Sequence, residues 1–445
     1  MRALILLLCA TALAQPFIRV SPRDPRYFET TTGQPYIPIG LNLVEPRGGG
    51  IDTYRDWLDK LAANQGNYVR LWIGHRFFAV EHEKYAVYDP AQAALIRQVL
   101  DLCRARGIRA KLTLEHFRNV KPGANTWALN TLYHTSNGGP SEDMAAWVAS
   151  PEARAQFIRK IQWYRDQFGN DPTVFAWELW NEMDAIQAGG FMDWTSTMLP
   201  ELHKAFPKNL ALQSLGSYDR ESKRAIYREH SLVPTNDAAQ VHRYLDLGAQ
   251  WDICHGPVDV LAAAAVRDLI GFEPKKPVLL AESGAVEPNH SGPFKLYAAD
   301  KAGILLHDIL FAPFFAGAAG PGQIWHWGEY VDRNNLWFHF ARFAEVVKDL
   351  DPTAEHFEAS MLPHPRLRIY VLKGRKTTLV WLRDSQNTWM SELRDARAPE
   401  TLEGVTLPLQ VPNARVYDPW RDHWTDAGPT LPSFSRSLII RGGSL

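Results

Sequence analysis

Phe175-Ala176-Trp177-Glu178-Leu179-Trp180-Asn181-Glu182 is an apolar run of strand length that stops abruptly on Asn-Glu, with Met183-Asp184 behind it. Such a dense short run suits a strand covered on both faces, as in a parallel sheet. Pro277-Val278-Leu279-Leu280-Ala281-Glu282-Ser283-Gly284 repeats the form and again delivers a carboxylate at the end of a buried strand. Outward from these two, similar runs lie at 36–42, 68–73, 110–114, 210–215, 239–242 and 323–327. Amphipathic patterns at 51–63, 91–106, 152–168, 257–270 and 295–311 separate them, with stop signals such as Gly107 behind Arg104 and Arg106. Alternating strand and helix patterns predict a parallel sheet. Eight such strands predict an α/β fold, a (β/α)8 TIM barrel over residues 15–350. The least periodic connections are those around the fifth and sixth strands.

Residues 115–149, after the third strand, are rich in Gly, Asn, Ser and Pro. A loop this long inside a compact domain is usually functional, and it belongs to the face where the strands end. From 351 the texture changes to short runs at 367–372, 377–382, 405–411, 414–417 and 435–440, broken by Pro, Gly and Asp. Residues 351–445 therefore read as a small C-terminal antiparallel β domain, sandwich-like, and as a structural cap rather than a binding module.

Bulk properties narrow the function. The chain has 445 residues, 46% hydrophobic and 22% charged, enough for a sizeable core, and a net charge of −1. Without a basic excess, nucleic acid and anionic membrane surfaces are poor candidates as partners. Arg2, the apolar stretch 3–9 and Ala12-Leu13-Ala14 before Gln15 read as a signal peptide, residues 1–14, cleaved after Ala14. The expected location is secreted or periplasmic, without membrane insertion, since the run is too short to span a bilayer. Leu8 before Cys9 argues against a lipid anchor. The two remaining cysteines, Cys103 and Cys254, make no disulfide scaffold.

Glu182 and Glu282 end the fourth and seventh strands of the count, where catalytic groups of this architecture sit. Two carboxylates across a sugar are what glycoside hydrolysis requires, one protonated and one ionised. Burial against apolar walls such as Trp180 is expected to keep one of them neutral. No His-x-His follows the first strand, and no His-Glu-x-x-His, Gly-x-Ser-x-Gly or glycine-rich phosphate fingerprint occurs. Neither a metal nor a cofactor is expected.

Trp177-Glu178-Leu179-Trp180-Asn181-Glu182, Ala281-Glu282, Val69-Arg70-Leu71-Trp72, Val241-His242-Arg243-Tyr244 and Gln323-Ile324-Trp325-His326-Trp327 together resemble clan A of the glycoside hydrolases. The likeness is nearest to family 5 and its secreted mannanase-like or cellulase-like members, and covers the whole barrel. It implies Glu182 as acid/base and Glu282 as nucleophile. It also implies Asn181 on the sugar 2-hydroxyl, Arg70 keeping the nucleophile ionised, Tyr244 hydrogen-bonded to it and His242 nearby. Trp325 or Trp327 would floor the cleaved sugar, and alternation alone does not choose between them. His116 is a further sugar-binding candidate, ahead of His75. Glu45 and Glu329 are backup acids, better read as ion-pair partners, and Trp127 is an outer platform or the long loop's own core. Arg243 inside His242–Tyr244 and Gly328-Glu329 after Trp327 depart from the commonest pattern and bear on substrate choice.

The expected activity is a retaining O-glycosyl hydrolase acting on a β-linked polysaccharide or oligosaccharide of β-mannan or β-glucan type. Endo action is favoured over exo, and the two carboxyl groups should lie ~5–5.5 Å apart. The alternative is a non-catalytic carbohydrate-binding barrel protein. Two close carboxylates, which repel when both are ionised, argue against that.

Overall fold

The computed structural model describes residues 15–124 and 130–445. The leader read at 1–14 and Trp127 lie outside the described residues. Three short antiparallel strands, Ile18–Val20, Phe28–Thr30 and Pro35–Tyr36, come first. Seven parallel strands follow: β1 (Gly40–Asn42), β2 (Tyr68–Trp72), β3 (Arg109–Glu115), β4 (Val174–Trp180), β5 (Leu210–Leu212), β6 (Ala239–Asp246) and β7 (Val278–Val286). The strands β1 to β5 form one parallel sheet in sequence order, and β6 pairs with β7.

Hydrogen bonds link these pieces. Asp237 N–H donates to Ala211 O (3.1 Å), and Tyr218 N–H to His242 O (2.7 Å). On the other side, residues 323–325 form only a bridge, Ser283 with Ile324, rather than the strand expected over 323–327. Ser283 N–H donates to Gln323 O (3.0 Å), Trp325 N–H to Ser283 O (2.8 Å), and Asn42 N–H to Ile324 O (3.1 Å). The segment thus ties β7 back to β1. It is cut short because a helical turn begins at Trp327.

The strands are buried along their whole length, as a parallel sheet covered on both faces requires. Trp177 stacks on Phe206 with ring centroids 4.1 Å apart, and Trp180 packs against Trp147 and Trp194, so both turn to the helical layer. Phe175 is the extra residue of an irregularity against Ala110 and Lys111. It meets Phe28, Tyr36 and Tyr68, which seats the N-terminal strands on the end of the sheet away from the carboxylates. Helices at Ile51–Ala63, Pro90–Ala105, Pro151–Phe168 and Val258–Ile270 match the amphipathic patterns, whereas the pattern at 295–311 becomes a short turn and then a helix at Ile304–Phe315. That helix is buried on all sides, so it carries no amphipathic signal to fix its ends. Cys103 and Cys254 are buried free thiols.

The C-terminal segment differs from the sandwich expected of it. It is a single six-stranded antiparallel sheet of β8 (Glu358–Leu362), β9 (Leu367–Lys373), β10 (Thr377–Asp384), β11 (Arg415–Asp418), β12 (His423–Asp426) and β13 (Ser437–Gly443), in the order β8-β9-β10-β13-β11-β12. The run at 405–411 is not a strand. Pro408 and Pro412 remove ladder donors there, and its apolar side chains lie over the sheet's outer face instead. The inner face, with Tyr370, Leu372, Leu379 and Trp381, joins the main core. Two ion pairs fasten it, the buried Arg383 to Asp308 (2.7 and 3.1 Å) and the half-buried Arg368 to Asp259 (2.5 and 2.9 Å), both carboxylates being on helices of the larger unit. Among the described residues, no helix is long and apolar enough to cross a membrane.

Burial pushes the Asp308 carboxyl up to about 6 even with Arg383 beside it. Replacing Arg383 by Met leaves that carboxyl buried without its counter-charge. The substitution should cost about 3–5 kcal/mol, read by urea unfolding. A midpoint equal to wild type would mean the pair does not fasten the sheet.

Candidate active site

Backbone geometry delivers Glu282. In the β6–β7 ladder Leu280 pairs with Val241 but Glu282 pairs with His242, so Ala281 is bulged out. A bulge re-aims the side chain that follows it. The freed Ala281 carbonyl accepts from Asn42 Nδ2 (3.3 Å), and Glu282 turns inward, almost fully buried. Its Oε1 accepts from Arg70 Nη1, and its Oε2 from the Tyr244 hydroxyl (2.9 Å).

Arg70 has no solvent exposure. Its guanidinium donates to Glu178 Oε2 through Nε (2.8 Å) and Nη2 (2.6 Å), and to Asn181 Oδ1 through Nη2 (2.8 Å). Burial favours losing the proton, but the charges of Glu178 and Glu282 more than offset this and hold the guanidinium firmly charged. Burial likewise pushes Glu178 up, yet Arg70 and Lys111 bring it well below the usual carboxylate range. The Lys111 ammonium, fully buried and donating to Gln240 Oε1 (2.5 Å), is lowered to about 7 by burial. With Oδ1 of Asn181 taken by Arg70, its amide Nδ2 is the group left for a ligand.

Glu182 comes off β4 in the left-handed region, at φ 53° and ψ 59°. A side chain other than glycine held there stores strain that the surroundings must balance. Ser214 Oγ accepts from Glu182 N–H (3.2 Å), and Arg118 Nη1 donates to the carbonyls of both Asn181 and Glu182 (2.8 Å each). Arg118 Nη2 also donates to Glu182 Oε2 (2.7 Å), and His242 Nδ1 lies 2.9 Å from Oε1. The same His242 nitrogen is 3.3 Å from Glu282 Oε2, so one imidazole proton stands between the two carboxylates.

The expectation that apolar burial keeps one carboxyl neutral is corrected here. Trp180 faces the helices, away from the cleft. Burial does push Glu182 up, but the hydrogen bond from His242 and the charge of Arg118 more than offset it, leaving the carboxyl below its ordinary range.

A cavity of about 300 Å³ opens above the pair, lined among others by Asn181, Glu182, Tyr244, Glu282, Trp72 and Trp325. Trp325 and Trp72 lie 4.9 Å apart between ring centroids and form an aromatic wall. Trp327, the other candidate, is buried edge-on behind Trp325 with the Arg47 guanidinium 4.5 Å from its ring, and does not line the cavity. His116 is buried against Trp72 (4.7 Å), behind the wall rather than in it. Among the described residues, Trp72 lines the cavity and His116 does not. Glu329 is 2.6 Å and Glu45 3.2 Å from Arg47 nitrogens, so both are ion-paired.

Two residues of this region, Arg118 and His290, escaped the sequence reading, and His326 stood in the Gln323–Trp327 motif without a sugar-binding role. Arg118 lies in a loop with no motif around it. His290, held by Asp246 (2.9 Å) and Ser217 (3.0 Å), reaches the cavity from a segment with no periodicity, and His326, held by Tyr297, reaches it from the motif. The alternation Trp325-His326-Trp327 was the one signal available, since it set a polar ring between two candidate platforms.

Glu182, His242 and Glu282 each offer a ligand atom within 4.8 Å of the others, the spacing of a metal site. All four carboxylate oxygens already face protein donors, however, and two of those donors are guanidinium groups. A cation there would have to displace them against like charge. The arrangement suits two carboxylates acting across a small polar substrate better.

Removing the Arg118 cation should let Glu182 titrate at higher pH. A carboxylate held below its unfolded value adds stability above that value and loses it as pH falls through the depressed one. Arg118→Met should therefore raise the Glu182 midpoint in a carbon-13 glutamate titration and lessen the stability lost on acidification. An unmoved midpoint would assign the depression to His242 and Lys223 instead.

No protein-family model matches the chain, and no curated protein is similar to it in sequence. Solved structures do match in fold. One described as a glycoside hydrolase aligns over 96% of this chain and 97% of its own, at 11% identity and a TM-score of 0.61. A glycoside hydrolase family 5 structure from Bacteroides vulgatus aligns over 96% and 93%, at 11% identity and 0.56. The endo-β-1,4-mannanase of Thermotoga petrophila aligns over 92% and 91%, at 14% identity and 0.52. The resemblance read from the strand motifs is thus met at the level of the fold: the chain is built as glycoside hydrolase family 5 structures are built.

Proposed function

We propose that this protein is a retaining glycoside hydrolase on a (β/α)8 barrel, cleaving a β-linked polysaccharide of mannan or glucan type, with Glu282 as nucleophile and Glu182 as acid/base. The observation that carries the reading is the convergence on one cavity of two carboxylates with oxygens within 4.8 Å of each other. Glu282 is held by Arg70 and Tyr244, while Glu182, held by Arg118 and His242, stands opposite at the mouth of the cavity. An approach of oxygens within 4.8 Å is in keeping with the retaining geometry, in which the carboxyl groups lie ~5–5.5 Å apart. Ring closure is supported by the bonds through residues 323–325 to β1. The fold of the Thermotoga petrophila mannanase supports a β-mannan before other polymers. The leader read at 1–14 goes with export to where such polymers are found.

In the proposed reaction the sugar at the cleaved end lies against Trp325, with its 2-hydroxyl at Asn181. Entry of the sugar expels water, and two carboxylates this close in a dry site favour one proton between them. Glu182 takes that proton and gives it to the glycosidic oxygen as Glu282 Oε2 bonds the anomeric carbon and the leaving group departs. In the second step Glu182, now a base, takes a proton from water, which attacks the same carbon and releases Glu282. Arg70 receives the charge that Glu282 recovers, and the two displacements return the original configuration.

Reducing-sugar release across β-mannan, β-glucan, xylan and galactan, wild type beside Glu282→Gln, tests this. One polymer should be cleaved, with the variant lowered by about a thousandfold or more. Activity surviving the substitution would remove Glu282 from the nucleophile's role. Wild-type protein that binds a polymer without cleaving any would favour a carbohydrate-binding protein.

A further inference from the structure

His326 lies between the two tryptophans that follow residue 324, and its neighbourhood is more constrained than a wall residue needs. The ring is 4% exposed, with its Nδ1 3.0 Å from the Tyr297 hydroxyl. That hydroxyl already accepts the Ala285 backbone N–H (2.6 Å). Among the described residues, no other acceptor is hydrogen-bonded to it, so its own proton goes to His326 Nδ1. A neutral imidazole that accepts at Nδ1 carries its proton on Nε2. His326 lines the cavity, where Tyr244 has its ring centroid 6.4 Å away, and with Nδ1 engaged by Tyr297 the nitrogen left for a ligand is Nε2. Gly284 keeps the room for this relay, since a Cβ there would come within 2.9 Å of the Tyr297 oxygen and 3.0 Å of His326 Nδ1.

We propose that His326 reads the substrate: its Nε2–H is a fixed donor to a hydroxyl oxygen of the sugar held beside Glu282, and Tyr297 is the positioning residue that sets the proton. This rests on the glycoside hydrolase reading. Burial, with the nearby charges of Arg47 and His290, holds the imidazole down to about 3, so the donor is neutral and constant over the working range. A site that offers one buried donor discriminates strongly against a sugar lacking the matching oxygen, because the donor is then left unpaired. Neither Trp325 nor Trp72 discriminates in this way, since an aromatic face meets C–H groups without regard to hydroxyls.

Two measurements on the full chain test it. Nitrogen-15 histidine spectra between pH 5 and 8 should give His326 as the Nε2–H form, and the Tyr297→Phe variant should lose that fixed assignment. On whichever of β-mannan, β-glucan, xylan or galactan the wild type cleaves best, His326→Ala should lower kcat/KM about tenfold. His326→Gln, whose amide N–H reaches a similar point, should recover part of the loss while the melting temperatures of all three stay close. An Nδ1–H form, or a His326→Ala variant as active as wild type, would overturn the proposal. Equal loss in the Ala and Gln variants would also overturn it, by assigning His326 to packing. Wild type inactive on all four polymers would instead bring down the hydrolase reading, and this inference with it.

Discussion

A guanidinium without access to water must find its counter-charges and hydrogen-bond acceptors inside the protein, and Arg70 is such a group. Its partners come from β1, β3, β4, β7 and the residue after β4: Asn42, Thr113, Glu178, Glu282 and Asn181. Each must stand at one height for the planar fork to reach them all. The register of the strands, the bulge at Ala281 and the abrupt end of β4 can be understood as meeting that requirement. Glu178 is the deep anchor, satisfied also by Thr113 (2.6 Å) and Gln240 (3.1 Å), and it lets Arg70 remain charged while still offering Nη1 to Glu282. The chemistry proposed for Glu282 is therefore set up a full layer below the cavity.

The opposite carboxylate is held by different means. Glu182 depends on a left-handed backbone and on loop donors, chiefly Arg118 and Ser214. Strand ends are rigid and loops less so, and the two carboxyl groups divide accordingly. A nucleophile gains from a fixed position and a constant charge. An acid/base group must change its protonation state twice in each cycle, and contacts from a loop and from one shared imidazole suit that better than a buried clamp. His242, between the two, couples them: a proton taken by one carboxyl alters what the other receives from the same ring.

Much of this was legible in the sequence because parallel strands buried on both faces leave strong apolar runs, and because both carboxylates sit at the ends of such runs. Arg70, Asn181, His242 and Tyr244 were found with them, being strand residues or direct neighbours. The choice between Trp325 and Trp327 was not legible, since it turns on where the last strand segment gives way to a helical turn. A histidine after a strand looks the same in sequence whether it lines a cavity or packs against the tryptophan that does, as His116 does on Trp72. Arg118, His290 and Tyr297 come from loops and short turns, where no period links residue to direction. The C-terminal run at 405–411 looked like a strand by composition, and only Pro408 within it and Pro412 behind it hinted that it could not pair.

The central claim is that Glu282 bonds the sugar carbon. Trapping the protein with 2-deoxy-2-fluoro-β-mannosyl and β-glucosyl fluorides, then mapping the label by peptide mass spectrometry, addresses it most directly. The account requires one glycosyl group per chain, on the peptide containing Glu282, with none trapped in the Glu282→Gln variant. A label on Glu182, or steady turnover of the natural polymer to the inverted anomer with no trapped species, would contradict it.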